Sequence, residues 1–204
     1  MSLYQLTYEP GTPLWKSAKK AGFDVGTTTD AIAEMYENSV ELIHRRTKLR
    51  HYEVSNYAQP GHESVHNLAY WRGWDYIGVG PGAHGRFLDQ DGKDRVRTTT
   101  YAGLERYISQ CEEVGSGVQV LERLEAETVM KELVVLGLRI KEGIDFEKAM
   151  EFSFGRDIKS LIDWNEVERF CEMGLLEFDL TRNVLRPTEL GLAVVDSILA
   201  QVIR

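Results

Sequence analysis

The chain has 204 residues, enough for one or two domains with a buried core. Its 43% hydrophobic and 27% charged residues exclude disorder, and its formal net charge of -8 at pH 7 argues against general polyanion binding, nucleic acid included. No run approaches the roughly 18 apolar residues that span a bilayer, and Met1-Ser2-Leu3-Tyr4 lacks the basic and apolar parts of a secretion signal.

In chain order, Ser2 to Tyr8 reads as a strand, closed by Glu9-Pro10-Gly11-Thr12-Pro13. With no partner before it, this strand is an edge through which copies of the chain could associate. Thr29 or Asp30 offers an N-cap, and Ile32, Met35, Tyr36, Val40 and Ile43 recur at helical spacing. His44-Arg45-Arg46-Thr47-Lys48 then places cations at the negative end of that helix. Tyr52 to Tyr57 reads as a second strand, ended by Gln59-Pro60-Gly61. Residues 86 to 98 are polar and charged, with a turn at Asp91-Gly92. From Tyr101 the pattern becomes helical. Leu104, Tyr107 and Ile108 mark one amphipathic segment, and Leu124 to Leu138 a second with Met130, Leu133, Val134 and Leu138 inside. Leu161, Ile162, Val167, Phe170 and Cys171 mark a third, stopped by Gly174. A hairpin around Arg182-Asn183 and a last helix from Pro187-Thr188 through Val202 complete a winged-helix-like order. The final helix carries Arg204 beside Glu189 and Asp196, which speaks against a nucleic-acid-reading helix.

Cys111 and Cys171 are far apart and lack metal-type spacing, so both read as ordinary thiols of a reducing cytoplasm. An iron–sulfur cluster takes three or four thiolates, more than these two supply. The densest chemistry lies in His66-Asn67-Leu68-Ala69-Tyr70-Trp71. A neutral imidazole can ligate haem iron, aromatic rings can cover a porphyrin, and Arg72 or Arg86 could meet its propionates. The alternative is a histidine held by a structural hydrogen bond, and by spacing alone both stand. Gly78-Val79-Gly80-Pro81-Gly82-Ala83-His84-Gly85 is either a loop that approaches a ligand or a tight bend at a strand end. Pro81 and Ala83 spoil a dinucleotide-type glycine pattern. No Ser/His/Asp or Cys/His constellation is visible, so no catalytic residue is assigned.

Several of these strings follow one another as in a known family. Ser2-Leu3-Tyr4-Gln5-Leu6-Thr7-Tyr8-Glu9-Pro10-Gly11-Thr12, Tyr52 to Ala58, His66-Asn67-x-x-Tyr70-Trp71, and Asp75 to Gly85 resemble oxygen-independent coproporphyrinogen III oxidase-like radical S-adenosylmethionine (SAM) proteins. Gly137-Leu138-Arg139 with Gly143, and Gly174-Leu175-Leu176, extend the likeness toward the C-terminus. The histidine motif points to the HemW-type haem-chaperone branch.

The resemblance implies an α+β chain. Residues 1–100 would be the C-terminal strands and helix of a partial (β/α) barrel, and residues 101–204 a mostly helical, winged-helix-like domain. It implies haem as ligand, with His66 a possible iron ligand and Asn67, Tyr70 and Trp71 beside it. Gly80, Gly82 and His84 would form a ligand-facing loop, and Gln5 and Thr7 the edge of a SAM pocket. A haem-acceptor protein is the implied partner, and a fragment of the oxidase is the alternative identity. The family's Cys-x-x-x-Cys-x-x-Cys motif has no counterpart here. The [4Fe–4S] cluster and SAM are therefore expected in a full-length relative, and this chain is expected to lack radical chemistry.

Overall fold

The computed structural model describes residues 1–4, 8–20 and 29–204, which form two compact units, Met1–Glu63 and Ser64–Arg204. These units and the motif-based division at residue 100 differ over residues 64–100, which are compact with residues 101–204.

In the first unit, helix α1 (Pro13–Lys20) follows the turn that the sequence marks only as a break. Thr12 starts it: its hydroxyl accepts from the Trp15 N–H at 3.2 Å, and Pro13 takes the first helical position, where its missing donor costs nothing. Helix α2 (Thr29–Arg46) is the one expected, with His44, Arg45 and Arg46 in its last turn. The strand expected over Tyr52–Tyr57 is instead an antiparallel pair, β1 (Arg50–Glu53) and β2 (Asn56–Ala58). Glu53 causes the reversal, because its buried carboxylate accepts from the Ser55 N–H and the Asn56 side-chain amide across the turn. Ser2 makes a single antiparallel bridge to Asn56. Leu3, Tyr4 and Tyr8 of the expected first strand are not in a strand, although the Leu3 N–H donates to the Ser55 carbonyl at 2.9 Å, and its residues 5–7, Gln5 and Thr7 included, lie outside the described residues.

The second unit begins with α3 (Val65–Trp71) and continues into a three-stranded antiparallel sheet, β3 (His84–Leu88), β4 (Arg95–Thr100) and β5 (Val118–Arg123), in the order β3-β4-β5. The polar stretch 86–98 is thus a hairpin, and Gly92, at φ 67°, makes its turn. β4 is mostly buried at the centre, whereas every residue of β5 is exposed at the edge. β5 is a strand within the segment expected to be helical. It is set by pairing with β4 rather than by an apolar face, so its own pattern gives little sign of it. Helix α4 (Leu104–Val114) lies between β4 and β5 in sequence and ends at Gly115 in the left-handed region.

Then follow α5 (Ala126–Gly137), β6 (Ile144–Asp145), α6 (Phe146–Phe152), a 3-10 turn (Ile158–Leu161) and α7 (Trp164–Glu172). β7 (Leu176–Asp179), β8 (Val184–Pro187), α8 (Glu189–Ala193) and α9 (Val195–Val202) complete the chain. The sheet order is β6-β8-β7, and helix–strand–helix–helix–strand–strand is the winged-helix order. Two expected helices are broken, for local reasons. Asp163 caps α7 by accepting from the Asn165 N–H at 3.1 Å, which separates Leu161 and Ile162 from it. The last helix divides at Val194, whose φ of -123° leaves the helical region. Val134, Leu138, Ile162, Leu185, Ile198 and Val202 are wholly buried and make the core of this part. Mixed helix and strand content makes the chain α+β, as expected.

Candidate functional site

Ser64 caps α3, its hydroxyl accepting from the Asn67 N–H at 3.3 Å. Leu68 is buried and anchors the helix, while His66 and Tyr70, four residues apart, share a face. The His66 ring stands edge-on to Tyr70, centroids 4.7 Å apart at 82°. Tyr70 meets Tyr76 in the same way at 4.4 Å and 80°. Tyr76 is itself fixed by two backbone hydrogen bonds exchanged with Arg86, of 2.6 and 2.9 Å. An exposed imidazole is therefore held in orientation by a short aromatic ladder rooted in β3. Among the described residues no hydrogen bond engages the His66 ring nitrogens, which stand exposed. Asn67 and Trp71 lie half-buried on the same helix.

The arginines suggested for propionates already have carboxylate partners. Arg72 forks onto Glu142 at 2.6 and 3.0 Å, and Arg86 onto Glu132 at 3.2 and 3.3 Å. The glycine segment is tied down through its own backbone. Gly80, at φ 102°, donates to the Tyr107 hydroxyl at 3.3 Å, Gly82 donates to the Tyr101 carbonyl at 2.9 Å, and Ala83 donates to the Thr100 hydroxyl at 2.8 Å. Those amides are spent on holding the bend, which favours the turn alternative for Gly80 and Gly82. A Cβ on Gly78 would stand 2.2 Å from the His84 carbonyl oxygen, so backbone crosses backbone there. His84 is exposed at the start of β3, its Nδ1 3.3 Å from the Thr99 hydroxyl. Ile77 and Val79 project from the loop, 77% and 86% exposed.

Behind Tyr70 and Tyr76 lies a cavity of about 430 Å³ that sequence reasoning missed. Arg86, Arg95 and Glu132 give it a polar end, and Leu133 lies in its α5 wall. Arg95 is 5% exposed and pairs with Asp75 at 3.2 Å. Burial lowers the Arg95 pKa, ahead of the opposing attraction of Asp75. The Tyr76 phenol is pushed up, chiefly by burial and against Arg86. The sequence signal was the alternation Arg95-Val96-Arg97-Thr98, which puts both arginines on one face of a strand but does not show which of them is covered.

Cys111 lies on α4 and Cys171 on α7, and burial raises the Cys171 thiol. Among the described residues no group of three His, Cys, Asp or Glu side chains is placed to hold a metal, and no helix is long and apolar enough to cross a membrane. The donor set present does not fit an iron–sulfur cluster.

Residues 124–194 match the family described as the HemN C-terminal domain. Mouse radical S-adenosyl methionine domain-containing protein 1, mitochondrial, is 35% identical over 98% of this chain and 45% of its own length. The Bacillus subtilis heme chaperone HemW is 30% identical over 86% of the chain and 44% of its own length. The Escherichia coli heme chaperone HemW is 40% identical over 48% and 24%, respectively. The chain thus spans less than half the length of these curated relatives. Among solved structures, the radical SAM enzyme coproporphyrinogen III oxidase (HemN) of Escherichia coli superposes with a TM-score of 0.65 over 93% of this chain and 45% of that one. At 14% identity that likeness concerns the fold.

Proposed function

Because this chain belongs to the coproporphyrinogen III oxidase-like radical SAM family, in its HemW-type branch, we propose that it binds haem and delivers it to an acceptor protein. The observation that carries the reading is the His66 imidazole: exposed, oriented by Tyr70, and uncommitted to any hydrogen bond among the described residues. A neutral histidine nitrogen in that state is an axial ligand for haem iron. Bound haem would supply the transferable group. The chain's own part is to present His66, to offer aromatic edges through Tyr70 and Trp71, and to exclude water with exposed Ile77 and Val79. The relatives named heme chaperones support the choice of ligand.

The same proposal holds that these residues run no radical chemistry. Two thiols on different helices cannot supply the three or four ligands of a [4Fe–4S] cluster. It also excludes nucleic acid, since α7, with Glu166, Glu168 and Glu172, presents acid to a polyanion. Cytoplasmic location belongs to the proposal too and rests on two cysteines read as free thiols, although the animal relatives carry "mitochondrial" in their names.

The test is a haem titration of the chain followed at the Soret band, beside His66→Ala. We expect a saturable shift that the variant loses. An unchanged shift in the variant would return His66 to a structural role and move the iron ligand elsewhere.

A further inference from the structure

We propose that the cavity behind Tyr70 and Tyr76 is a carboxylate-recognition site, anchored by Arg95, for the acidic side arm of an otherwise apolar ligand. The strongest sign is the state of Arg95. Its side chain is 94% removed from solvent, it lines the cavity, and among the described residues its charge is met by Asp75 at 3.2 Å without an aligned hydrogen bond. A buried guanidinium carries five donors and a large desolvation cost, so buried arginines ordinarily fork onto an acceptor. Here Asp75 is only a partial answer. It is 45% exposed and already accepts from the Leu88 N–H at 3.0 Å. Burial lowers the Arg95 pKa, against the attraction of Asp75 and Glu132.

The surroundings suit a carboxylate. Tyr70 and Tyr76 line the same cavity, and among the described residues neither phenol makes a hydrogen bond. Arg86 lies beside them with its fork occupied by Glu132, and Lys131 in the same lining is paired with Glu127 at 2.7 Å, which leaves Arg95 as the anchor. Leu133 and the adjacent α5 wall would take hydrocarbon. About 430 Å³ admits an acidic arm with part of its ring, which is the chemistry of a porphyrin propionate. The choice of a porphyrin as ligand rests on the haem reading above; the carboxylate site does not.

The experiment uses metal-free protoporphyrin IX and its dimethyl ester, whose binding to the chain is followed by porphyrin fluorescence. Without iron, neither probe depends on ligation by His66. The diacid should bind the wild type at least about tenfold more tightly than the ester, the effect of one charge-assisted hydrogen bond. Arg95→Met should abolish that preference, while Tyr76→Phe should reduce it and keep the fold. Arg95→Met removes a poorly paired buried charge, so its thermal unfolding should stay close to that of the wild type. A diacid preference that survives in folded Arg95→Met, equal binding of the two probes to the wild type, or no saturable binding of the diacid would overturn the site. Failure of the haem reading looks different. His66→Ala would then keep the haem Soret shift, whatever the metal-free probes do.

Discussion

Residues 124–204 and residues 64–100 belong to one compact unit but are built on opposite plans. The C-terminal part closes on itself: Val134, Leu138, Ile162, Leu185, Ile198 and Val202 have no accessible surface to speak of, and its acids cap helices. Residues 64–100 instead leave Val65, Ile77 and Val79 in solvent, hold an exposed imidazole on an aromatic ladder, and set the largely buried Arg95 in a cavity wall. Burying apolar surface and satisfying polar groups are what folding rewards, so the first part is spent on stability. The second has few wholly buried apolar side chains and lines a cavity, although the first also leaves Leu180 and Leu190 exposed and, among the described residues, the Arg139 Nε buried without a hydrogen bond.

The largest effect should come from breaking the closed part. Leu185→Ala empties a wholly buried position in β8 and should cost about 3 kcal/mol, read from the denaturant midpoint. His66→Ala in the open part should move the same midpoint by less than about 0.5 kcal/mol, because the ring is exposed. Comparable losses for both would erase the distinction and make His66 a structural residue.

The next effect falls where the open part is tightly built. Gly78→Ala would put a Cβ 2.2 Å from the His84 carbonyl oxygen, a backbone atom with nowhere to go. We expect a loss of about 2 kcal/mol, within the range for overpacking, in thermal or chemical unfolding. A neutral Gly78→Ala would mean that the loop moves freely and that its glycines serve ligand approach rather than the bend.

Legibility in the sequence followed the same divide. The helices α2, α4, α5 and α7 and the β7–β8 hairpin were readable because their apolar faces repeat or their turns carry Asn183 and Gly174. The reversal at Val54-Ser55 was not, because it is made by the Glu53 side chain reaching across the turn. Strand β5 was not, because pairing defines it, and helix α1 was hidden by the turn signal that precedes it. At the site, the motif from His66 to Trp71 could be found by its residue types. The partnership of Tyr70 with Tyr76, and the burial of Arg95 but not of Arg97 on the same strand face, depend on contacts that no local spacing records.

The smallest effect probes how the closed part satisfies its charges. Asp145 caps α6, accepting from the Glu147 and Lys148 N–H groups at 3.1 and 3.2 Å, and its carboxylate lies 3.0 Å from the Lys148 ammonium. Burial would raise its pKa, but the hydrogen bonds and charge of Lys148 outweigh it, and the carboxyl is held below its ordinary value. A carboxyl depressed in the folded state stabilises the fold fully above its unfolded pKa of about 3.9, and that part is lost as pH falls through the lower folded value. Asp145→Asn retains a capping oxygen and removes the charge, so at neutral pH it should cost only about 0.5 kcal/mol. The gap between wild type and variant should narrow in acid and close only once the pH is under the lower folded value, as measured by unfolding at neutral pH and at a series of pH values descending well below ~3.9. A gap that persists there would mean that Asp145 acts through shape alone, and that the closed part owes nothing to this charge.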